Sequence, residues 1–98
     1  MSQQITIKLD KERHLKYGMK ALMLIEELTG KPMSKFNLEA VTMKDVCILI
    51  HAGLIHEDNT LTLDDTVQII EDYGFGRFNE LVEKMSKAIN LSFGIKNV

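Results

Sequence analysis

The sequence predicts a mainly α protein of the α+β type, in which an N-terminal β-hairpin packs on a compact bundle of about four helices. Three observations indicate this fold. Apolar residues alternate with polar ones only near the N-terminus, they recur at helical spacing through most of the remaining chain, and capping residues stand at the expected helix ends. The 98 residues are 45% hydrophobic and 27% charged, which suits one domain with a modest core. We therefore expect a single domain over residues 1–98, with the hairpin at 4–17 and helices at 18–94.

The hairpin is indicated by two short runs of period two. Ile5, Ile7 and Leu9 alternate with polar residues, and after the polar stretch 10–12 Leu15 and Tyr17 do the same. An isolated hairpin is marginally stable in water, so this one is expected to pack on the helices that follow.

The first helix is predicted over 19–29, because Leu22, Ile25 and Leu28 recur at helical spacing. Gly30 follows, and a glycine directly after a helix can adopt the left-handed conformation that closes it. Residues 31–41 form a connector with a short turn around 34–38.

The second helix is predicted from Met43 to about Leu54, with Thr42 as its N-cap and Asp45 three residues further on as a capping-box partner. Its residues are apolar on nearly every face. Because a helix without a polar face is usually buried, this helix is expected to form the centre of the core.

Two further helices follow the polar loop at 56–60. Thr62 repeats the capping pattern, with Asp64 and Asp65 in the first turn, and the third helix is expected to end at Gly74 in a turn formed by residues 74–76. The fourth helix is predicted over about 77–93 from its apolar stripe. This stripe contains Phe78, Leu81, Val82, Met85, Ala88, Ile89 and Phe93.

Charge and composition disfavour several classes of protein. Twelve basic and fourteen acidic residues give a formal net charge of −2, and the basic residues are scattered, whereas nucleic-acid binders usually present a dense basic surface. The longest apolar stretch, 46–55, is half the ~20 residues that span a bilayer, and the N-terminus lacks a signal-peptide pattern. We expect a cytoplasmic protein that binds neither nucleic acid nor membrane; a small helical DNA-binding regulator is kept as an alternative.

The cysteine and histidine residues offer a second alternative. Cys47 and His51 lie four residues apart on one predicted helix, and His56 with Glu57 or Asp58 could complete a zinc site. The same Cys47 and His51 could form a nucleophile pair, but that chemistry needs an exposed thiolate. We interpret Cys47 as a small core residue and His51 as a residue at the helix edge, and we expect no catalytic residue, metal site or cofactor.

Methionine and the fourth-helix stripe raise the question of a binding surface. Met19, Met23, Met43 and Met85 all lie on apolar stripes, for which core packing is the first interpretation, although methionine also suits adaptable contact surfaces. If three helices complete the core, the fourth-helix stripe remains available for a partner. The candidate partner-binding residues are therefore Leu81, Met85, Ile89 and Phe93.

Taken in order, the segments from residue 5 to 93 resemble the tail assembly chaperones of long-tailed phages and prophages. The resemblance is carried by the hairpin leading into Ala21 and Leu22 and by the segments 25–30 (IEELTG), 46–54 (VCILIHAGL) and 56–62 (HEDNTLT). Each motif is weak alone, and the combination in this order is more specific. Asn59 departs from the pattern, since proline is often expected there, and this affects only the stiffness of the loop.

The resemblance implies a function. Chaperones of this family hold the tape measure protein before assembly and help recruit tail tube subunits, and they are not expected in the mature virion. Many occur with a longer form made by programmed ribosomal frameshifting, and the short form can self-associate. The partners implied are therefore the tape measure protein, the tail tube protein, a longer form of this chain and further copies of it. Residues 95–97 (IKN) can be encoded by ATA AAA AAC, which contains a slippery heptamer, and we place the expected frameshift there.

Overall fold

A computed structural model of the chain describes residues 4–32 and 40–93, with side chains described as far as residue 91. A two-stranded antiparallel hairpin precedes four α-helices, which confirms the predicted fold class. The elements are β1 (Ile5–Lys8), β2 (Glu12–Leu15), α1 (Met19–Thr29), α2 (Met43–Leu54), α3 (Leu63–Ile69) and α4 (Phe78–Phe93). The turn expected at 34–38 lies outside the described residues.

The hairpin places one face against the helices. Ile5 pairs with Leu15 and Ile7 with Arg13, so alternate side chains share the inner face. Ile7 and Leu15 are buried, and so is Arg13. The Arg13 guanidinium donates to both carboxylate oxygens of Asp10, at 2.7 and 2.8 Å, so a charged residue on the inner face has its counter-ion within the hairpin turn.

Side chains from other elements cover both outer edges of the hairpin. On the β2 edge, the His14 N–H donates to Glu57 Oε1 at 2.8 Å, and His56 Nε2 donates to the His14 carbonyl at 2.7 Å. On the β1 edge, Arg77 donates to the carbonyl of Lys8, and Lys84 Nζ lies 3.3 Å from the carbonyl of Thr6. Backbone groups that a larger sheet would pair are thus bonded to the helical part of the chain.

The first helix ends as predicted. Gly30 has φ +73°, the left-handed conformation, and its N–H donates to the carbonyl of Glu26. Ala21 and Ile25 are buried against the core. Met19 and Met23, which the sequence places on the same stripe, are on the solvent side.

The second helix is the centre of the core, as its sequence predicts. Thr42 Oγ1 accepts from the Asp45 N–H at 3.0 Å while Asp45 accepts from the Thr42 N–H, so the capping box is complete. Lys31 Nζ lies 2.9 Å from the same carboxylate. Nine of the twelve helical residues are buried. His51 is among them, so its predicted position at the helix edge was wrong.

The third helix does not end in a turn at Gly74, which corrects the prediction. After α3 the chain continues through a π-helical turn, Ile70–Gly74, and a 3₁₀ turn, Phe75–Arg77, directly into α4. Gly74 has an ordinary negative φ of −116°. A Cβ at this position would lie 2.6 Å from Leu81 Cδ1 and 3.1 Å from Leu9 Cδ2. The glycine therefore permits close packing of the hairpin and α4 against the π turn.

The core joins the hairpin, α1, α2 and α4 in one cluster. Its largest fully buried side chains include Ile7, Leu15, Ile25, Leu49, Ile50, Leu54, Leu81, Met85 and Ile89. Within the part of the chain that the structure describes, no helix has the length and apolar character that crossing a membrane requires.

Candidate functional site

The structure places the predicted partner-binding stripe of α4 in the core. Leu81, Met85 and Ile89 are 1%, 0% and 1% exposed, respectively. Phe93 is the last residue of α4, and its side chain lies outside the described part. The hairpin and α2 both contact α4, so the core is not complete without this helix. In this conformation the three buried side chains are not available to a partner.

Of the four methionines on the predicted apolar stripes, three are exposed instead of buried. Met19, Met23 and Met43 are 71%, 61% and 57% exposed, so core packing was the wrong interpretation for them, whereas Met85 is buried as expected. Helical periodicity gives the side of a helix on which a residue lies. It does not give how far the neighbouring elements cover that side, and the apolar stripes of α1 and α2 extend beyond what is covered.

An open apolar groove of about 420 Å³ lies where α2 faces α3 and the start of α4. We call it the α2–α3 groove, and its apolar lining consists of Met43, Cys47, Val67, Ile70, Phe75 and Phe78. Glu71 completes the lining. Phe75 is 64% exposed and Val67 38%, so large apolar surface faces solvent here. Exposed apolar surface gathered at a concave site is typical of a binding surface.

Local sequence features position both walls of the groove. The Thr42 capping box starts α2 at Met43, which places Met43 and Cys47 one turn apart on one side. A second complete capping box, between Thr62 and Asp65, starts α3, so that Val67 and Ile70 line the opposite wall. Ile70 is buried and forms the deeper part of this wall, whereas Phe75 in the 3₁₀ turn remains exposed.

Cys47 and His51 do not form the pair that the sequence allowed as an alternative. Cys47 is partly buried in the groove, and burial raises the pKa of its thiol, which disfavours the reactive thiolate. His51 Nδ1 instead lies 3.0 Å from Thr66 Oγ1 on α3. His56 is bonded to the His14 carbonyl and Glu57 to His14. Within the described ranges, no three His, Cys, Asp or Glu side chains are grouped so that they could hold a metal ion.

A second depression lies beside the start of α1 and has a volume of about 710 Å³. It is larger than the α2–α3 groove, but its surface is more polar. Its lining includes Lys16, Lys20, Met19, Leu24, His51 and His56. We favour the α2–α3 groove as the candidate site because its lining is almost entirely apolar, and we retain the second depression as a competing site that an experiment can separate.

The described residues form a small α+β fold with an open, mainly apolar groove between α2 and α3. Comparisons with protein-family models, curated proteins and solved structures found no match to this chain. The case for its function therefore depends on the residues and on the geometry described above.

Proposed function

We propose that this chain is a tail assembly chaperone of long-tailed phages and prophages, which binds the tape measure protein and helps recruit tail tube subunits. The sequence resemblance over residues 5–93 is what suggests this family. The observation that carries the proposal is the α2–α3 groove, a concave and mainly apolar site at which the large side chains of Met43, Val67 and Phe75 are exposed. A chaperone needs such a surface to shield apolar segments of its client.

We assign the client site to the α2–α3 groove and no longer to the α4 stripe. Binding through Leu81, Met85 and Ile89 would require α4 to leave the bundle and expose the core. The groove needs no such rearrangement. Its methionine, Met43, can also adapt to different client side chains, because an unbranched thioether side chain repacks at little cost.

The test is co-expression of this chain with the tape measure protein encoded beside it, followed by pull-down and light scattering of the purified complex. We expect a soluble complex with the wild-type chain. Phe75→Ser and Met43→Ser, which change exposed groove residues, are expected to weaken it. Met23→Ser is the matched control, because Met23 is equally exposed but lines neither depression.

The outcomes separate the possible sites. Loss of the complex with Met19→Ser, but not with Phe75→Ser, would move the client site to the second depression. Binding only by a frameshifted longer form would move it into the extension. If neither form holds the tape measure protein in solution, the proposed function is wrong.

A further inference from the structure

The charges of this chain are segregated along its sequence. Between Lys44 and Arg77 there are seven acidic residues and no lysine or arginine, although the whole chain has twelve basic residues. This acidic segment includes α3 and the π turn, which form one wall of the α2–α3 groove. The wall is therefore acidic as well as apolar.

Most acids of this segment already have a function in the fold. Asp45 and Asp65 complete the two capping boxes, Glu57 bonds to His14, and Asp58 accepts from Thr60. Asp72 accepts from Gln68 at 3.0 Å. These carboxylates are occupied by the protein itself, so they carry no argument about a ligand.

Asp64 and Glu71 differ, since both are exposed and no ion pair to either occurs among the described residues. They flank Val67 at positions i−3 and i+4, so the helical spacing places Asp64 beyond the groove lining but on the same side of α3 as Val67. Glu71 itself lines the groove.

The bases at the two ends of this segment, Lys44 and Arg77, form no ion pair with Asp64 or Glu71 among the described residues. Arg77 donates to the carbonyls of Lys8 and Tyr73, and its Nη1 lies 3.9 Å from Glu80 Oε2. Lys44 follows Met43 on α2, which is the opposite wall. The described lining of the groove thus combines apolar side chains with one acidic side chain, Glu71, and contains no basic one.

The geometry of the walls favours a helix as the occupant. Met43 and Cys47 on one side, and Val67 and Ile70 on the other, are rows of side chains at i, i+4 and i, i+3 spacing, into which the side chains of a third helix can pack. An extended segment would find no strand edge in these helical walls with which its backbone groups could pair. A helix satisfies its own backbone.

We propose that the α2–α3 groove binds an amphipathic helix whose apolar side chains enter the groove and whose lysine or arginine side chains face Asp64 and Glu71. The identification of this helix as a segment of the tape measure protein rests on the function proposed above. The chemistry of the occupant follows from the groove itself and can be tested without that client.

The experiment uses two synthetic amphipathic helical peptides with leucine at i, i+3 and i+7, which differ only in whether one flank carries lysine or glutamate. Fluorescence anisotropy gives the dissociation constants with the full chain. We expect the lysine peptide to bind ~3- to 10-fold more tightly at low salt, as two rim ion pairs allow, and the difference to shrink as salt rises. The chain's single cysteine, Cys47, reports occupancy, because a bound peptide slows its reaction with a thiol reagent.

Charge reversal supplies the decisive comparison. The double variant Asp64→Lys with Glu71→Lys is expected to prefer the glutamate peptide, whereas Glu27→Lys, an exposed change on α1, keeps the wild-type preference. Equal affinity for the two peptides, an unchanged preference in the double variant, or failure of both peptides to bind and protect Cys47 would overturn the inference. A peptide preference without capture of the tape measure protein would instead overturn only the client assignment.

Discussion

At the residue scale, two histidines experience opposite surroundings. His51 is buried between α2 and α3, and the Thr66 hydroxyl beside it donates to the carbonyl of Thr62 at 3.2 Å, so Thr66 Oγ1 accepts from His51 Nδ1. Burial lowers the pKa of His51 below its ordinary 6.5, against a smaller opposite effect of the Asp65 charge. The hydrogen bond to Glu57 raises the pKa of His14, which is only partly buried.

The pKa shift of His51 predicts a loss of stability in mild acid. The folded state holds the His51 proton less tightly than the unfolded state. The contribution of neutral His51 to the free energy of unfolding is therefore complete above pH 6.5 and is lost as the pH falls below that value. The raised pKa of His14 has the opposite effect. The contribution of protonated His14 to the free energy of unfolding is complete below pH 6.5 and is lost as the pH rises above that value. Urea unfolding of the wild type between pH 7.5 and 5 should therefore show a falling free energy of unfolding below ~6.5.

A variant assigns this pH dependence to one group. His51→Gln cannot titrate, so we expect the decline between ~6.5 and 5 to flatten, even if the variant is less stable throughout. His14→Gln leaves that decline in place. Burial acts to raise the pKa values of Asp45 and Glu57, but the hydrogen bonds and charges of Lys31, Thr42 and His14 outweigh it and lower these pKa values below 3.8 and 4.5, so both groups act at lower pH. An unchanged slope in His51→Gln would show that another group is responsible.

At the scale of elements, the contact between the hairpin and α2 depends on a glycine within the helix. Tyr17 donates its hydroxyl to the Leu49 carbonyl at 2.6 Å, and the Lys16 N–H donates to the Gly53 carbonyl at 3.0 Å. A Cβ on Gly53 would lie 2.8 Å from Leu15 Cδ2, from the Tyr17 ring and from its hydroxyl. The end of β2 therefore rests directly on the backbone of α2.

Gly53→Ala is predicted to destabilise the protein, although alanine is the better helix former. The gain in helix propensity is about 1 kcal/mol, whereas overpacking against a buried tyrosine ring costs about 1–3 kcal/mol and also strains the Tyr17 hydrogen bond. Urea unfolding measures the balance. Gly76→Ala is the matched control, because no heavy atom lies within 4 Å of a Cβ there, and it should be neutral or slightly stabilising. A more stable Gly53→Ala protein would contradict the close contact.

The same contacts show which features the sequence could predict. The strands, the Gly30 helix end and both threonine capping boxes depend on residues close together in the chain, and all were confirmed. Gly74 was interpreted as a helix end. In the structure it instead permits the close approach of Leu9, which follows β1, and of Leu81 on α4. Likewise, the exposure of Met43 depends on what α3 leaves uncovered. No local pattern encodes such packing, and for this reason the groove could not be found from the sequence.

At the scale of the whole molecule, the fold keeps the core apart from the exposed apolar surface. The apolar stripe of α4 closes the core against the hairpin and α2, and part of the apolar surface that remains uncovered lines the α2–α3 groove. Among the described residues, Met43, Val67 and Phe75 are exposed groove residues, while Met85 and Leu81 are buried. The same residue types thus have separate functions according to which helix face the neighbouring elements cover.

This separation predicts opposite effects for substitutions that sequence alone would treat as equivalent. Met85→Asp places a charge at a position that is 0% exposed, and it should cost at least about 3 kcal/mol, a large part of the stability of a small domain. Phe75→Ser changes a side chain that is 64% exposed, and the free energy of unfolding should stay within about 0.5 kcal/mol of the wild type. Circular dichroism during urea unfolding measures both. If Met85→Asp folds with wild-type stability, the packing of α4 described here is wrong; if Phe75→Ser unfolds the protein, Phe75 belongs to the core and the groove loses its main exposed wall.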